Sequence, residues 1–330
     1  RRQIGSIQPG GTYNLKDSFG REIDYLRLSL TERCTLRCVY CRVDEGFCPK
    51  SLELNAEEMI LLAEVCVELG IKRIRLTGGE PLLRKDLMQI VRGIAALPGL
   101  KDLSITTNAQ MLAEMAADLK AAGLMRLNIS MDSLNEELFE KLTGGGSLQK
   151  VLDGIKAAEA AGFDPIKINV VLMQGVNDHE VDDFIALTTR HKIDVRFIEY
   201  MPIGGGNGSH NLRVNNQELI AERPWLKPLP PRFHSQPSSD YTFDGALGRV
   251  GFISPISHRF CSDCNRIRIM SDGNLRTCLG RDYEISLREA LVEGKEPLKR
   301  IIRQEILDKP ACHLFDTEAL EKRNMSRIGG

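Results

Sequence analysis

Between Tyr25 and Met201 the chain alternates runs of period-two hydrophobicity with longer runs of helical period. Six strands are predicted: Tyr25–Leu30, Ile71–Thr77, Leu103–Thr107, Met125–Asp132, Ile166–Leu172 and Val195–Met201. After the first, a helix begins at Asn55, with Glu58 three residues on as a capping box, and ends at Gly70. Further helical runs cover Asp86–Leu97, a stretch to Ala122 stopped by Gly123, a stretch to Ala161 stopped by Gly162, and Asp178–His191. Six βα units imply parallel strands with right-handed crossovers. Eight would close a standard barrel. The expected fold is therefore α/β, an incomplete (β/α)6 barrel with an open side, and a doubly wound open sheet is the alternative.

Successive strand residues face opposite ways, so each strand can be split into two faces. One face carries Leu26, Leu28 and Leu30; Ile74 and Leu76; Leu103 and Ile105; Met125, Leu127, Ile129 and Met131; Ile166, Ile168 and Val170; Val195 and Phe197. The opposite face carries Tyr25, Arg27 and Ser29; Arg73, Arg75 and Thr77; Ser104 and Thr106; Arg126, Asn128, Ser130 and Asp132; Lys167 and Asn169; Arg196. Helices pack on the apolar face, which leaves the polar face for the lumen. A dry lumen holding Arg27, Arg75, Lys167 and Arg196 would be unstable, because buried unpaired cations are very costly. Such a lumen calls for an anion, unless these residues sit at strand ends and reach water.

Outside this region the pattern changes. Residues 1–24 read as an arm laid over the body, and 25–201 as the barrel. Residues 202–240, rich in Gly, Pro, Ser and Asn, read as a linker into a smaller C-terminal region, 241–330. A formal net charge of −1 excludes nucleic-acid binding through a globally basic surface. No run of eighteen apolar residues or signal-peptide pattern is present, so neither membrane nor secretion is expected. The chain starts at Arg1 rather than Met, which is compatible with a leader trimmed from the natural protein. Nine cysteines in this composition suggest a reducing compartment, the cytoplasm or, in a eukaryote, the mitochondrial matrix.

Six of those cysteines form two groups. Cys34-x3-Cys38-x2-Cys41 follows the first strand, at the end where barrels place their chemistry. Three thiolates so spaced can hold three irons of a 4Fe-4S cluster and leave the fourth open to a ligand. A zinc site would need a fourth protein ligand, which no His or Cys at finger-like spacing supplies. Cys261-x2-Cys264-x13-Cys278 is a second triad, and here zinc with His258 stays open. Between its cysteines, Arg266 and Arg268 lie two apart on an extended segment and point the same way, which suits phosphate or carboxylate. Cys66 reads as a core residue, and Cys48 and Cys312 as free thiols. Neither Gly144–Gly146 nor Gly204–Gly208 forms a Walker loop, and the six histidines show no paired-ligand spacing.

The first triad, with aromatic Tyr40 before its third cysteine, resembles the signature of the radical S-adenosylmethionine superfamily. Thr77-Gly78-Gly79-Glu80-Pro81 resembles that superfamily's segment for the amino group of S-adenosylmethionine; glycines admit a ligand and Glu80 can accept from an ammonium. From Tyr25 to Gly330 the chain is similar to the GTP 3′,8-cyclases of molybdenum cofactor biosynthesis. The resemblance rests on Ile74–Pro81, Thr106-Thr107-Asn108, Asn128–Asp132, Lys167-Ile168-Asn169, Arg196–Met201, Phe260-Cys261-x2-Cys264-x-Arg266-x-Arg268, Ser271-Asp272-Gly273 and terminal Gly329-Gly330. Two positions depart from the family. Arg42-Val43 replaces the usual Met-Pro, and Ala109 replaces the usual glycine; local loop adjustment is expected at both.

The resemblance implies two 4Fe-4S clusters, at Cys34/Cys38/Cys41 and Cys261/Cys264/Cys278. The first reduces S-adenosylmethionine, giving a 5′-deoxyadenosyl radical that removes the 3′ hydrogen of GTP before C3′ attacks C8. It implies S-adenosylmethionine contacts from Tyr40, Gly79, Glu80, Ser130 and Met201. GTP contacts would come from Arg27, Arg75, Thr106, Lys167, Arg266 and Arg268, with the base at the second cluster. Arg27, Arg196, Gly329 and Gly330 would take part in catalysis, the two glycines as a tail entering the site. Implied partners are a flavodoxin- or ferredoxin-type reductant, a downstream cyclic pyranopterin monophosphate synthase and a second copy in a homodimer. Competing readings are another radical enzyme with an auxiliary cluster, a two-cluster electron carrier and a zinc-binding structural protein.

Overall fold

A computed structural model describes residues 15–41, 49–201, 203, 212–315 and 325–328. The alternation of the sequence becomes β1 (Tyr25–Ser29), α1 (Ala56–Glu68), β2 (Arg73–Thr77), α2 (Leu87–Ala95), β3 (Asp102–Thr107) and α3 (Leu112–Ala121). It continues through β4 (Arg126–Ser130), α4 (Glu136–Thr143), α5 (Leu148–Ala160), β5 (Ile166–Leu172), α6 (Val181–Arg190) and β6 (Ile193–Glu199). Local chemistry sets the boundaries. The Asn55 side chain accepts from Glu58 N at 2.9 Å, and the Glu58 carboxylate accepts from Asn55 N at 2.8 Å, closing the expected capping box. The helical run toward Ala161 is split in two because Gly144 ends α4 with φ at 66°.

Strands β1 to β6 lie side by side in chain order and pair in parallel, as right-handed βα units require. The later chain adds α7 (Asn216–Ala221), β7 (Lys227–Pro228), β8 (Ser239–Thr242), β9 (Val250–Ile253), β10 (Arg266–Ile269), β11 (Asn274–Arg276) and β12 (Ile285–Ser286), then α8 (Arg288–Glu293) and α9 (Lys295–Leu307). Residues 202–240 thus contribute α7, β7 and the start of β8. The C-terminal strands extend the sheet at both edges: β9 pairs in parallel with β6, and β10 in parallel with β1. Antiparallel β8 and β7 continue one side, and β11 and β12 the other. The result is one twelve-stranded sheet whose end strands, β12 and β7, do not meet, so the barrel stays open.

The apolar faces of the parallel strands β1 to β6 pack outward against the helices. Leu26, Leu28, Ile74, Leu76, Leu103, Ile105, Leu127 and Ile129 are fully buried in a single core with Leu62, Ile90 and Leu119 of the helices. Among the described residues no helix is long and apolar enough to cross a membrane. Phe197 joins the two parts of the chain, with its ring centroid 6.3 Å from Phe184 on α6 and 5.5 Å from Phe252 on β9. Replacing Phe197 by Ala is expected to cost about 3–5 kcal/mol. Chemical denaturation of the anaerobic protein should show a lowered midpoint, and an unchanged midpoint would contradict this packing.

Candidate active site

The first cysteine triad leaves the C-terminal end of β1 on a loop held from three directions. From β2, the turn at Gly78–Glu80 presses against it: Gly79 N donates to Thr31 O and Glu80 N to Arg33 O, both at 2.7 Å. Gly78 sits at φ 147°, and a methyl group there would strike the Thr31 carbonyl. A methyl group on Gly79 would overlap the carbonyls of Glu32 and Arg33. These glycines therefore serve the close approach of two backbones. From α4, Arg37 N donates to Thr143 O at 2.8 Å and Val39 N to Leu142 O at 2.9 Å, so the Gly144–Gly146 turn is a packed support. From the strand ends, the Asn108 amide reaches Thr35 Oγ1 at 2.9 Å and Cys34 Sγ at 3.6 Å. The Tyr40 hydroxyl donates to Asp132 Oδ2 at 2.7 Å.

Glu80 differs from its expected place. Its carboxylate is buried and accepts from Leu82 N at 3.0 Å, Thr107 Oγ1 at 2.7 Å and Asn108 N at 2.7 Å, so it staples the β2 turn to β3. It does not line the cavity described below. Burial raises its pKa to about 7. Ala109, itself fully buried in the loop after β3, holds φ at 60°, a backbone state that favours glycine. Arg42, Val43 and Cys48 lie outside the described residues.

The second triad flanks β10 and β11, the third and second strands from one edge of the sheet. Cys261 opens a 3-10 turn, Cys264 precedes β10, and Cys278 follows β11. Burial pushes the Cys264 thiol up, but the charges of Lys309, Arg266 and Arg21 outweigh it and leave the thiol at about 7. Burial raises the pKa of Cys278 and that of Cys34, and raises that of Cys38 well above the ordinary thiol value. His258 is exposed and does not line the cavity. Among the described residues no three His, Cys, Asp or Glu side chains are disposed around a single-ion site. A cluster differs from a single ion in this respect, because each thiolate takes a separate iron. The donor set, three sulfurs and no fourth, fits a cluster with one open iron.

All six cysteines line one cavity of about 330 Å³ in the barrel lumen. Tyr40, Gly79, Ser130, Met201, Arg27, Arg75, Thr106, Lys167, Arg196, Arg266 and Arg268 line it too. Strand register explains the concentration of cations. Arg27 is opposite Arg75 on β2 and Arg268 on β10, and Arg268 is opposite Arg276 on β11, so four arginines form one row. Like charges placed directly opposite repel. Carboxylates offset the flanks: Arg73 pairs with Asp24 at 2.7 Å, Arg126 with Asp102, and Arg276 with Glu284 at 3.0 Å. Asp194 takes Arg232 at 2.5 Å and Lys167 at 3.5 Å. Within the lumen, the buried Nε atoms of Arg75 and Arg196 have no hydrogen-bond partner.

The energetic cost of this arrangement shows in the titrations. Burial and then Arg268 and Arg75 lower Arg27 well below its ordinary value. Burial and Arg75 bring Arg196 to about 9, and burial with Arg266 brings Arg268 to about 10. Burial and Arg196 bring Lys167 to about 7. Orphaned guanidinium nitrogens beside like charges fit a polyanion.

Gly329 and Gly330 lie outside the described residues, but the chain just before them reaches the site: Arg268 Nη1 donates to Ile328 O at 3.1 Å, and Met325 lines the cavity. Several lining residues carried no assigned role in the sequence reading. The sequence period puts Asp132 on the lumen face without giving it a role; Asp194 lies two residues before Arg196 on β6, so the same period could have found it. Phe233, Ser235 and Gln236 come from residues 202–240 and had no periodic signal; Phe233 lies 4.4 Å under the Arg73 guanidinium, and Ser235 O accepts from Arg266 at 3.0 Å.

Family models place these features among known proteins. Residues 28–188 match the Radical SAM superfamily, and residues 193–315 match Molybdenum Cofactor Synthesis C. The GTP 3′,8-cyclase of Peptoclostridium acidaminophilum is 46% identical over 321 residues, 96% of this chain and 98% of that one. The GTP 3′,8-cyclase of Geobacter sulfurreducens is 45% identical over 327 residues, 96% of this chain and 99% of that one. Streptococcus suis SuiB bound to S-adenosylmethionine superposes with a TM-score of 0.61 at 15% identity, covering 94% of this chain and 77% of that one, a likeness of fold.

The backbone contact at Gly79 yields a test. Gly79→Ala must push the cysteine loop away, at a cost of roughly 1–3 kcal/mol. Reconstituted under anaerobic conditions, it is expected to lose the iron held by the first triad while the second keeps its own. Full iron content and an unshifted thermal midpoint would refute the contact.

Proposed function

The chain belongs to the GTP 3′,8-cyclase family, and from that premise we propose that it converts GTP to (8S)-3′,8-cyclo-7,8-dihydroguanosine 5′-triphosphate, the first step of molybdenum cofactor biosynthesis. It is a radical S-adenosylmethionine enzyme with lyase-type cyclisation. One observation carries the reading: both cysteine triads and the arginine row open onto a single lumen. An electron carrier has no use for the arginines.

Cys34, Cys38 and Cys41 hold one 4Fe-4S cluster, and Cys261, Cys264 and Cys278 a second. When bound, the first cluster and S-adenosylmethionine supply the one-electron cleavage whose organic radical abstracts the 3′ hydrogen of GTP. Tyr40, Gly79, Ser130 and Met201 contact S-adenosylmethionine, and Glu80 acts on it through the turn that it staples. Arg27, Arg75, Thr106, Lys167, Arg266 and Arg268 take the GTP, where the triphosphate neutralises the buried row. Arg196, held by Asn128 Oδ1 at 2.7 Å, faces the same lumen and joins Arg27, Gly329 and Gly330 in the cyclisation step. Phe233, Ser235, Gln236, Pro237 and Ser238 line the same lumen. A flavodoxin- or ferredoxin-type protein delivers the electron, and a cyclic pyranopterin monophosphate synthase takes the product. The setting is the cytoplasm, and the working form is a homodimer.

Two experiments test this. With GTP deuterated at C3′, mass spectrometry should find deuterium in the 5′-deoxyadenosine. Undeuterated 5′-deoxyadenosine would exclude C3′ as the site of abstraction. The second concerns Lys167, whose pKa is lowered by burial to about 7 from an ordinary 10.5. A neighbouring triphosphate favours the charged form and raises that value, so GTP binding takes up a proton. Affinity is then greatest below pH 7 and declines as pH rises through 7. Calorimetry at pH 8 in buffers of different ionisation enthalpy should show uptake that falls in Lys167→Met; equal uptake in both proteins would remove Lys167 from the triphosphate site.

A further inference from the structure

The N-terminal residues before β1 contribute a buried cation that the reaction does not use. Residues 15–23 form a tight hairpin, with Asp17 Oδ1 accepting from Phe19 N at 2.9 Å and from Arg21 N at 3.0 Å. Asp17 Oδ2 then accepts from Arg21 Nε at 2.5 Å, which fixes the guanidinium plane. Nη1 donates to Cys261 O at 2.8 Å and Ala311 O at 3.0 Å. Nη2 donates to Pro310 O at 2.7 Å and Lys309 O at 3.5 Å. The five N–H donors of an arginine are thereby used.

One of those acceptors belongs to a cysteine of the second triad. The neighbouring residue, Lys309, serves the other two cysteines. Its buried ammonium donates to Arg266 O at 3.0 Å and to Thr277 O, beside Cys264 and Cys278 respectively. Two buried cations thus grip the backbone of all three cysteine-bearing segments, and Arg21 also fixes the segment that carries Lys309. Neither cation lines the cavity.

We propose that Arg21 is a positioning residue for the second cluster, setting the separation of Cys261 from Cys264 and Cys278 through its fork of carbonyl contacts. The proposal rests on the reading that this triad holds a cluster. Loss of the guanidinium would remove a donor from Asp17 Oδ2 and from four carbonyls, in a region where buried polar groups need partners. The first triad has no contact with this fork and should be untouched.

The test is iron analysis and electron paramagnetic resonance on the anaerobic full chain, comparing wild type with Arg21→Met, Arg21→Lys and Asp17→Asn. Wild type should bind about eight irons, two 4Fe-4S clusters. Arg21→Met should keep about four, retaining the signal perturbed by S-adenosylmethionine and losing the one perturbed by GTP. Arg21→Lys, charged but without the fork, should resemble Met rather than wild type. Asp17→Asn should release the second cluster's iron to a chelator about tenfold faster. If Arg21→Met fails to fold, this chelation rate decides. About four irons in wild type would sink the two-cluster reading itself. Wild-type content, spectra and chelation rate in the variants, or equal loss of both clusters, would overturn the role of Arg21 alone.

Discussion

Like charges held at neighbouring register positions are the constraint around which this molecule is arranged. Arg75, Arg27, Arg268 and Arg276 stand opposite one another across four strands. Such a row is unfavourable in an empty, low-dielectric lumen. The strands can carry it because their other face is almost wholly aliphatic and supplies the core with the helices. Acidic residues then partition the field. Asp24, Asp102, Asp194 and Glu284 take the outer cations, while Arg75 and Arg196 each keep a buried Nε donor without a hydrogen-bond partner. Stability is thereby surrendered at the site and recovered outside it.

The cysteine loops show the complementary strategy, in which position comes from backbone contact. The first loop is clasped by the β2 turn and by the end of α4, and its aromatic residue is fixed by Asp132. The second is gripped by two cations that bond to carbonyls. Backbone contacts leave the thiols themselves available. They also explain why glycines cluster at the first loop, where any side chain would separate the two chains.

Much of this could be read from the chain before folding, because the signals were local. The Asn55–Glu58 cap, the six strands, their two faces and both cysteine spacings depend on residues close in sequence. What could not be read depends on neighbours far away. Glu80 looked free to meet an ammonium, yet the ends of β3 supply Thr107 and Asn108 as its donors. Residues 202–240 have linker composition, but Phe233 and Ser235 lie against Arg73 and Arg266. Arg266–Ile269 is too short to announce that it pairs with β1. Ala109 shows the opposite case: a residue with a side chain that still adopts the glycine-type backbone.

The pairing of β1 with β10 has a consequence for how the protein is made. β1 leaves the ribosome well before its outer partner β10, which follows it by about 240 residues (Tyr25 pairs with Arg266). Until then a nascent half-barrel presents an unsatisfied strand edge, the surface on which chains adhere to one another. Pairing between segments about 240 residues apart also carries a loop-closure penalty and should slow final assembly. Translation that stalls or terminates early would release an adhesive fragment, so quality control during synthesis bears on the yield of this protein as much as its finished stability does.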